Sequence, residues 1–326
     1  MQKGSSKISV IAAIAANVLI GIVKFIAAGI TASAAMMSEG IHSFVDSGNG
    51  LLVLYGMKKA DKKADREHPF GYGKELYFWT LVVSILIFAI GGGMSISHGY
   101  EALVESAAGD HPFRDLTLNY VILIMAMAIE GSSLAIAAKQ FNTARREKNM
   151  GPMEYIRESK DPSLFTVVLE DTAAEAGLAT ALIGMVLWQL TGISYFDGMS
   201  SVIIGIVLIS VAAILMKESK GLLVGEGISA KEIRRIESIV EEDPTVVECG
   251  SVLTNYFGPH SLLIGIDATF TEECDICEAM EATARIEAAI KAEFPQTARI
   301  FIEAESLACV IGQQKVRDEM LSEEES

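Results

Sequence analysis

Long apolar runs alternate with short polar connections over the first two thirds of the chain. A helix that crosses a bilayer needs about 20 mostly apolar residues, and six runs are that long, near residues 8–30, 36–57, 76–99, 117–140, 163–189 and 196–216. None of these runs contains proline, which removes a backbone donor from a helix interior. The pattern predicts six transmembrane helices.

The pattern becomes that of a soluble protein after a linker containing Gly221, Gly225 and Gly227. Helical periodicity alternates with strand-like alternation. The predicted elements are a helix at 229–242, strands at 246–256 and 260–270 around a Gly258-Pro259 turn, a helix at 275–293 and a strand at 297–304. The α-β-β-α-β order predicts an open-faced sandwich, a small sheet with both helices on one side.

The fold class predicted is therefore an α-helical membrane protein followed by a small cytoplasmic α+β domain. The expected boundaries are a transport domain at 1–220, an α+β dimerisation domain at 221–313 and an acidic, disordered tail at 314–326.

Basic residues predict the orientation in the membrane. They concentrate at the N-terminus, in the loops after spans two and four, and after span six, whereas the opposite connections carry only Arg114. Because basic loops stay in the cytoplasm, both termini are predicted to be cytoplasmic. No cleavable signal peptide is evident in the first apolar run, so a prokaryotic cell (cytoplasmic) membrane is the location expected.

The charge balance limits the classes of partner that can be expected. The formal net charge is −16, the pI is about 4.8, and much of the acid follows Lys217. Nucleic-acid binding needs a basic face, so no nucleic-acid partner is expected. The four cysteines all lie in the C-terminal part, in a compartment predicted to be reducing, and their number does not require disulfides.

Several ionisable residues lie inside the predicted spans, where each charge costs at least about 2.5–3.5 kcal/mol at mid-bilayer. His42 and Asp46 are four residues apart on span two, so they share one helix face. Asp171 and Glu175 have the same spacing on span five, next to Glu170. Such residues usually face a cavity, a partner or a ligand.

Two helices with these pairs face to face offer one imidazole and three carboxylates around a single point. This ligand set suits tetrahedral Zn²⁺ and admits Mn²⁺, Fe²⁺ or Co²⁺, and it exchanges protons for metal. A lone His–Asp pair is more often a structural hydrogen bond, but the pair occurs here with three further acids. Lys24 and Glu130 are interpreted as helix-pairing or charge-balancing groups.

The motifs resemble those of the cation diffusion facilitator family. The resemblance rests on Asn17 and Lys24 in span one, SEGIHSFVD at residues 38–46, HPFGYGKE at residues 68–75, and the C-terminal α-β-β-α-β order. The LEDTAA stretch at residues 169–174 resembles the branch that contains zinc transporter nine.

This resemblance implies a homodimer that exports Zn²⁺ or a related divalent cation in exchange for protons. It also implies a central site of HxxxD or DxxxD pairs on spans two and five. His42 and Asp46 match the first pair, and Asp171 matches the second member of the other. The remaining position is Val167, which binds no metal, so either Glu170 or Glu175 takes its place.

Two further family sites are altered. A frequent loop histidine is replaced by Tyr72, which leaves Asp65 and His68 as a reduced candidate metal site. In the soluble domain, Phe301 replaces a frequent histidine, so a dimerisation role is favoured over metal sensing. The lone CxxC at Cys274 and Cys277 is a weak metal signal.

Two other functions remain as alternatives. An intramembrane serine protease would use Ser95 as nucleophile with His98 or His42 as base, although it leaves the intramembrane acids unexplained. A membrane-anchored scaffold would recruit partners through the C-terminal domain and would tolerate neutralisation of those acids.

Overall fold

Long helices occupy almost all of the chain up to residue 224. The computed structural model describes residues 3–107, 117–147 and 149–306, and of residues 3–16, 305 and 306 it describes the backbone alone. The predicted tail at 314–326, Arg114 and Cys309 lie outside the described residues. The chain divides into two compact units, Met1–Lys62 with Glu75–Gly221 and Lys63–Lys74 with Leu222–Ser326.

Each predicted span lies within a helix of the first 224 residues. A π-helical segment, Ile87–Gly93, lies in the third predicted span, and Lys74–Ala107 is continuously helical. The helices are α1 (Lys3–Thr31), α2 (Ala34–Ala60), α3 (Lys74–Leu86), α4 (Met94–Ala107), α5 (Thr117–Glu147), α6 (Pro152–Glu158), α7 (Pro162–Thr191) and α8 (Tyr195–Val224).

Not all of these helices are equally apolar. Within the described residues, four are long and apolar enough to cross a membrane, namely Lys74–Ala107, Thr117–Glu147, Pro162–Thr191 and Tyr195–Val224. The described side chains of α1 form a shorter apolar stretch, Asn17–Thr31. Helix α2 does not qualify, because it carries the polar cluster that includes Glu39, His42 and Asp46. The count of six membrane spans therefore stays a prediction.

Side-chain caps fix where the helices begin. Ser33 accepts a hydrogen bond from the backbone N–H of Met36 at the start of α2. The buried carboxylate of Asp197, near the start of α8, accepts from Ser33 Oγ at 2.6 Å and from the backbone N–H of Ala34 at 2.5 Å. This pairing of a carboxylate with orphan N–H groups holds the first turns of α2 and α8 together.

Glycines bring the third predicted span against α8. A Cβ added at Gly92 would lie 3.1 Å from the carbonyl oxygen of Gly205, and one added at Gly99 would lie 2.8 Å from that of Gly198. The two glycines on each helix are seven residues apart, about two helical turns. Small residues allow this close backbone approach, a common basis of helix packing in membranes.

The second unit contains the small sheet. Its elements are α9 (Ala230–Glu241), β1 (Val246–Tyr256), β2 (Leu262–Phe270), α10 (Ile276–Glu293) and β3 (Thr297–Ser306). The strand order is β1-β2-β3, with β1 antiparallel and β3 parallel to β2. The predicted α-β-β-α-β order is confirmed.

One face of this sheet forms the core of the unit. Alternate residues of β2, from Leu262 to Phe270, are buried. They pack with the apolar faces of both helices, including Ile236 and Val240 on α9 and Ile286 on α10. The residues buried at every second position of the strand and those buried on one face of each helix therefore form one hydrophobic layer.

The loop between α2 and α3 belongs to this second unit. Phe70 stacks on Phe257 in the β1–β2 turn with ring centroids 4.6 Å apart, and Lys74 Nζ lies 5.0 Å from the Phe257 ring. A Cβ at Gly73 would clash with the carbonyl oxygen of Phe257. Residues 63–74 fall within the predicted transport domain at 1–220, yet their packing partner is the turn at Phe257.

A bidentate ion pair joins the end of α9 to α10. Arg285 Nε and Nη2 donate to the two carboxylate oxygens of Asp243 at 2.9 and 3.0 Å, and Thr245 donates to Oδ1 from its backbone N–H at 3.1 Å and its hydroxyl at 2.7 Å. These donors, Arg285 first, lower the pKa of Asp243 to about 2. The carboxylate is nearly buried, whereas Arg285 is half exposed.

We expect Asp243→Asn to loosen the second unit at neutral pH, because the charged acceptor is lost. Hydrogen exchange of full-length protein in detergent should show about tenfold lower protection in peptides of α10, the effect of losing about one charge-assisted bond. Since the folded-state pKa lies below the ordinary value of about 3.9, the wild-type contribution is complete above pH 4 and disappears as the pH falls through about 2. Glu287→Gln, which removes an exposed pair with Lys291, is the control and should change little. Equal protection in both variants would contradict this assignment.

Candidate metal centre in the helical unit

The predicted pair on α2 comes together inside the helical unit. His42 Nε2 and Asp46 Oδ2 are 3.3 Å apart, and the side chain of His42 is only 2% exposed. Neither ring nitrogen of His42, nor Asp46 Oδ1, makes a hydrogen bond with any residue that the structure describes. Buried polar groups are nearly always hydrogen-bonded, so this imidazole differs from an ordinary structural histidine.

The acids of α7 point in two directions. Glu170 Oε1 accepts a hydrogen bond from Asn49 Nδ2 on α2 at 3.0 Å, so it lies on the side of His42 and Asp46. Asp171 Oδ2 accepts from Ser133 Oγ on α5 at 2.9 Å. Since Glu170 and Asp171 are consecutive, they lie about 100° apart around the helix.

Glu175 also lies on the α5 side. Its Oε1 would lie 3.0 Å from a Cβ added at Gly131 on α5. Val167, the position left without a ligand by the family pattern, is 41% exposed. The predicted set therefore divides into His42, Asp46 and Glu170 between α2 and α7, and Asp171 and Glu175 toward α5.

These side chains do not form a closed metal site in the conformation described. Among the described residues, no three His, Cys, Asp or Glu side chains are close enough together to hold one ion. His42, Asp46 and Glu170 lie between α2 and α7, whereas Asp171 and Glu175 lie toward α5, so the five side chains do not converge on one point. The metal ligands predicted from the sequence remain predictions.

A buried lysine lies beside the pair. Lys24 Nζ on α1 donates to Glu39 Oε2 at 3.0 Å, to Ser43 Oγ at 2.9 Å and to Glu130 Oε1 at 3.1 Å. Both Lys24 and Glu39 are fully buried. The charge-balancing role expected for Lys24 and Glu130 agrees with this contact.

Sequence reasoning missed three of the residues that hold this region together. Glu39 lies three residues before His42 and so on the same face of α2, a spacing that could have identified it. Asn49 and Ser133 carry no charge and stand in ordinary helical positions, so no sequence signal distinguished them from other polar residues.

A notch in α7 receives Glu39. A Cβ added at Gly177 would lie 2.5 Å from Glu39 Oε1, well inside van der Waals contact. The absence of a side chain at Gly177 therefore lets a carboxylate of α2 lie against the backbone of α7.

The loop candidates Asp65 and His68 have a structural arrangement. Asp65 Oδ1 accepts from the backbone N–H groups of Glu67 and His68 at 3.1 and 2.9 Å, and Oδ2 accepts from the Tyr72 hydroxyl at 2.9 Å. His68 Nδ1 lies 3.9 Å from Asp65 Oδ1, and its ring packs on Tyr72. Both oxygens of Asp65 are thus engaged in shaping the loop, and metal binding here remains a prediction.

Of the CxxC cysteines, Cys274 precedes α10 and Cys277 lies in its first turn. Desolvation, and then the carboxylates of Glu278 and Asp275, raise the pKa of the Cys274 thiol. Burial and neighbouring acids raise that of Cys249 to about 11. Metal binding needs the thiolate, so the surroundings of these two cysteines oppose it.

Among the described residues, Ser95 and His98 do not form the catalytic pair that the protease alternative requires. Ser95 Oγ is buried and has no hydrogen-bond partner among the described residues. His98 Nδ1 instead lies 3.5 Å from Glu101 Oε2 on a partly exposed face.

A comparison with known families decides the identity. The family described as the cation efflux transmembrane domain matches residues 10–224, which contain His42, Asp46 and the acids of α7. The chain belongs to the cation efflux family. Membership of a family of membrane transport proteins speaks against the protease alternative. The resemblance to cation diffusion facilitators is confirmed.

Similar proteins agree with this assignment. The human protein "Proton-coupled zinc antiporter SLC30A9, mitochondrial" is 34% identical over 244 residues, 75% of this chain and 42% of that protein. Metal tolerance protein C4 of Arabidopsis thaliana is 28% identical over 282 residues, 86% of this chain and 61% of that protein. The chain thus matches about two fifths of the human relative's length, and the resemblance to the zinc transporter nine branch is confirmed.

A solved structure also matches the C-terminal part. A nickel form of the MamM C-terminal domain is 18% identical and covers 23% of this cation efflux protein and 96% of that chain, with a TM-score of 0.22.

We expect Gly177→Ala to disturb the centre without touching a predicted ligand. The new methyl group would displace the Glu39 carboxylate, and overpacking of this kind costs about 1–3 kcal/mol. The melting midpoint of the purified protein in detergent should fall by several degrees. Gly29→Ala, on α1 with no atom within 4 Å of the added Cβ, is the control and should leave it unchanged or slightly higher. Equal melting midpoints for both variants would contradict the expected clash between the new methyl group and the Glu39 carboxylate.

Proposed function

We propose that this cation efflux protein exports a divalent metal cation, Zn²⁺ foremost, from the cytoplasm in exchange for protons. The proposal rests on one observation, the buried imidazole of His42, whose two nitrogens have no hydrogen-bond partner in the described part of the chain. A buried ring nitrogen without a hydrogen bond is costly, and this cost is removed when the nitrogen binds a metal.

Asp46 supplies the second ligand, because it lies 3.3 Å from His42 on the same face of α2. Glu170 is the favoured third ligand, since its bond to Asn49 places it on the α2 side of α7. Asp171 and Glu175 complete the set if α7 turns relative to α2. We infer that the ligands converge when metal binds and separate again on release, which is the alternating access expected of a secondary transporter.

Proton exchange follows from the ligand chemistry. Carboxylates and imidazole bind metal only when deprotonated, so entering protons compete with the ion for the same groups. Vacant, charged ligands are unfavourable in the membrane interior. Occupation by either metal or protons should therefore accompany each conformational change.

The ligand set leaves the choice of metal to experiment. One imidazole with several carboxylates is harder than a site with two or more imidazoles, so Mn²⁺, Fe²⁺ and Co²⁺ are the alternatives to Zn²⁺. The name of the human relative describes a proton-coupled zinc antiporter, which supports zinc and protons. Asp65 and His68 are proposed only as a minor loop site.

We propose a homodimer with both termini on the cytoplasmic side. The basic loops support the orientation, and the domain limits proposed are 1–220 for transport, 221–313 for dimerisation and 314–326 for the acidic tail. A cell membrane is the location inferred from the sequence. Because the human relative is named as mitochondrial, fractionation of the native membranes is the measurement that decides the location.

We expect His42→Ala and Asp46→Asn each to reduce metal transport at least about a hundredfold, because each removes a proposed ligand of the metal ion from the membrane interior. The measurement is Zn²⁺ uptake into proteoliposomes with an acidic lumen, compared with uptake at equal pH on both sides. Wild-type uptake should require the pH gradient.

The matched control is His98→Ala, which removes a partly exposed histidine on α4 of the same helical unit and should transport normally. Full activity of Asp46→Asn would refute the site. Failure of the wild type to move zinc, manganese, cobalt or iron would favour the scaffold alternative.

A further inference from the structure

The ammonium group of Lys24 has a complete set of partners from two other helices. Its three N–H groups match three acceptors, Glu39 and Ser43 on α2 and Glu130 on α5, all within 3.1 Å. No water is needed to satisfy a group that is fully buried. A charge in such a place must be held by its surroundings, because isolated burial of an ammonium is prohibitive.

The charges around Lys24 do not cancel. One ammonium faces two carboxylates. Lys24, Glu39 and Glu130, here called the trio, therefore carry a formal charge of −1 when all three are ionised. Glu39 Oε1 and Glu130 Oε2 are buried and have no hydrogen-bond partner among the residues described. The trio therefore has acceptor capacity beyond what Lys24 uses, which a purely structural ion pair would not leave open.

The trio adjoins the candidate metal centre. Ser43, which accepts from Lys24, directly follows His42, and the Lys24 charge is within electrostatic range of His42, Asp46 and Glu175. Charges interact more strongly in a protein interior than in water, because screening there is weak. A divalent cation arriving at His42 and Asp46 would therefore be repelled by Lys24.

We propose that Lys24 is a tethered cation that weakens metal binding at the neighbouring His42–Asp46 pair and thereby keeps the transported ion releasable. The inference rests on the proposed function. When the centre is empty, the ammonium neutralises part of the acidic cluster. When metal binds, the same charge opposes it. Lys24 is a positioning residue here, because it contacts no predicted metal ligand directly.

A tether that only joins helices would behave differently. Removing it would loosen α1, α2 and α5 and leave metal affinity unchanged or lower. Removing a repelling charge should instead tighten metal binding. The two roles thus predict opposite changes in one equilibrium constant.

The test is the Zn²⁺ dissociation constant of the purified full-length protein, measured by competition with a fluorescent chelator. Lys24→Met should bind zinc at least about tenfold more tightly than wild type and transport it more slowly, because release is retarded. Lys24→Arg keeps the charge and should stay within about threefold of wild type. Unchanged or weaker binding by folded Lys24→Met would overturn the proposal.

A charge-matched double variant separates charge from contact. Lys24→Met with Glu39→Gln restores the trio's formal charge of −1, so its affinity should return toward that of wild type although the Lys24 bonds are gone. Affinity as tight as in Lys24→Met alone would contradict the charge mechanism. Monodispersity and melting of each variant establish that it is folded.

Glu130→Gln provides a second route if Lys24→Met does not fold. It keeps Lys24 and removes one negative charge, so zinc binding should weaken by about tenfold or more; unchanged binding would also overturn the proposal. Absence of zinc binding and transport in the wild type would instead refute the proposed function, whereas wild-type transport with unaltered affinities in the variants would refute only the role of Lys24.

Discussion

The cost of burying charge governs the helical unit. Lys24 is fully buried, and only the placement of Glu39, Ser43 and Glu130 around it makes that burial tolerable. This requirement fixes the relative positions of α1, α2 and α5, and the notch at Gly177 extends it to α7. The apolar surfaces of these helices could pack in several registers, whereas three polar groups around one ammonium allow very few. The same helices also carry the candidate metal ligands, so the polar network and the candidate metal centre are built on the same helices.

The second unit is stabilised by different means. Its sheet has one face covered by α9 and α10, and the pairing of Asp243 with Arg285 ties the end of α9 to the middle of α10. The loop at 63–74 is shaped by Asp65 and fixed by Phe70 against the β1–β2 turn. Both oxygens of Asp65 accept hydrogen bonds from within the loop, one of them from the Tyr72 hydroxyl, and these bonds order the loop.

The elements were largely predictable because their signals are local. The period of two in β2 and the apolar run of each long helix follow from which face is buried, and the predicted limits of β1 agree with the structure at both ends. The spacing of His42 and Asp46 likewise predicted a shared face. What sequence could not give is the direction in which α7 turns its acids, because Glu170 and Asp171 are consecutive and only the partners Asn49 and Ser133 distinguish them. The contact between Lys24 and Glu130 joins residues more than a hundred positions apart, and no local pattern records it.

The glycine contacts between the third predicted span and α8 limit insertions and deletions in these two helices. Gly92 meets Gly205 and Gly99 meets Gly198, and each pair of glycines is separated by the same number of residues on its own helix. Deleting or inserting one residue between them would turn one glycine about 100° away from its partner and bring a side chain against a backbone carbonyl. The number of residues between positions 92 and 99, and between 198 and 205, is therefore constrained as strictly as the glycines themselves.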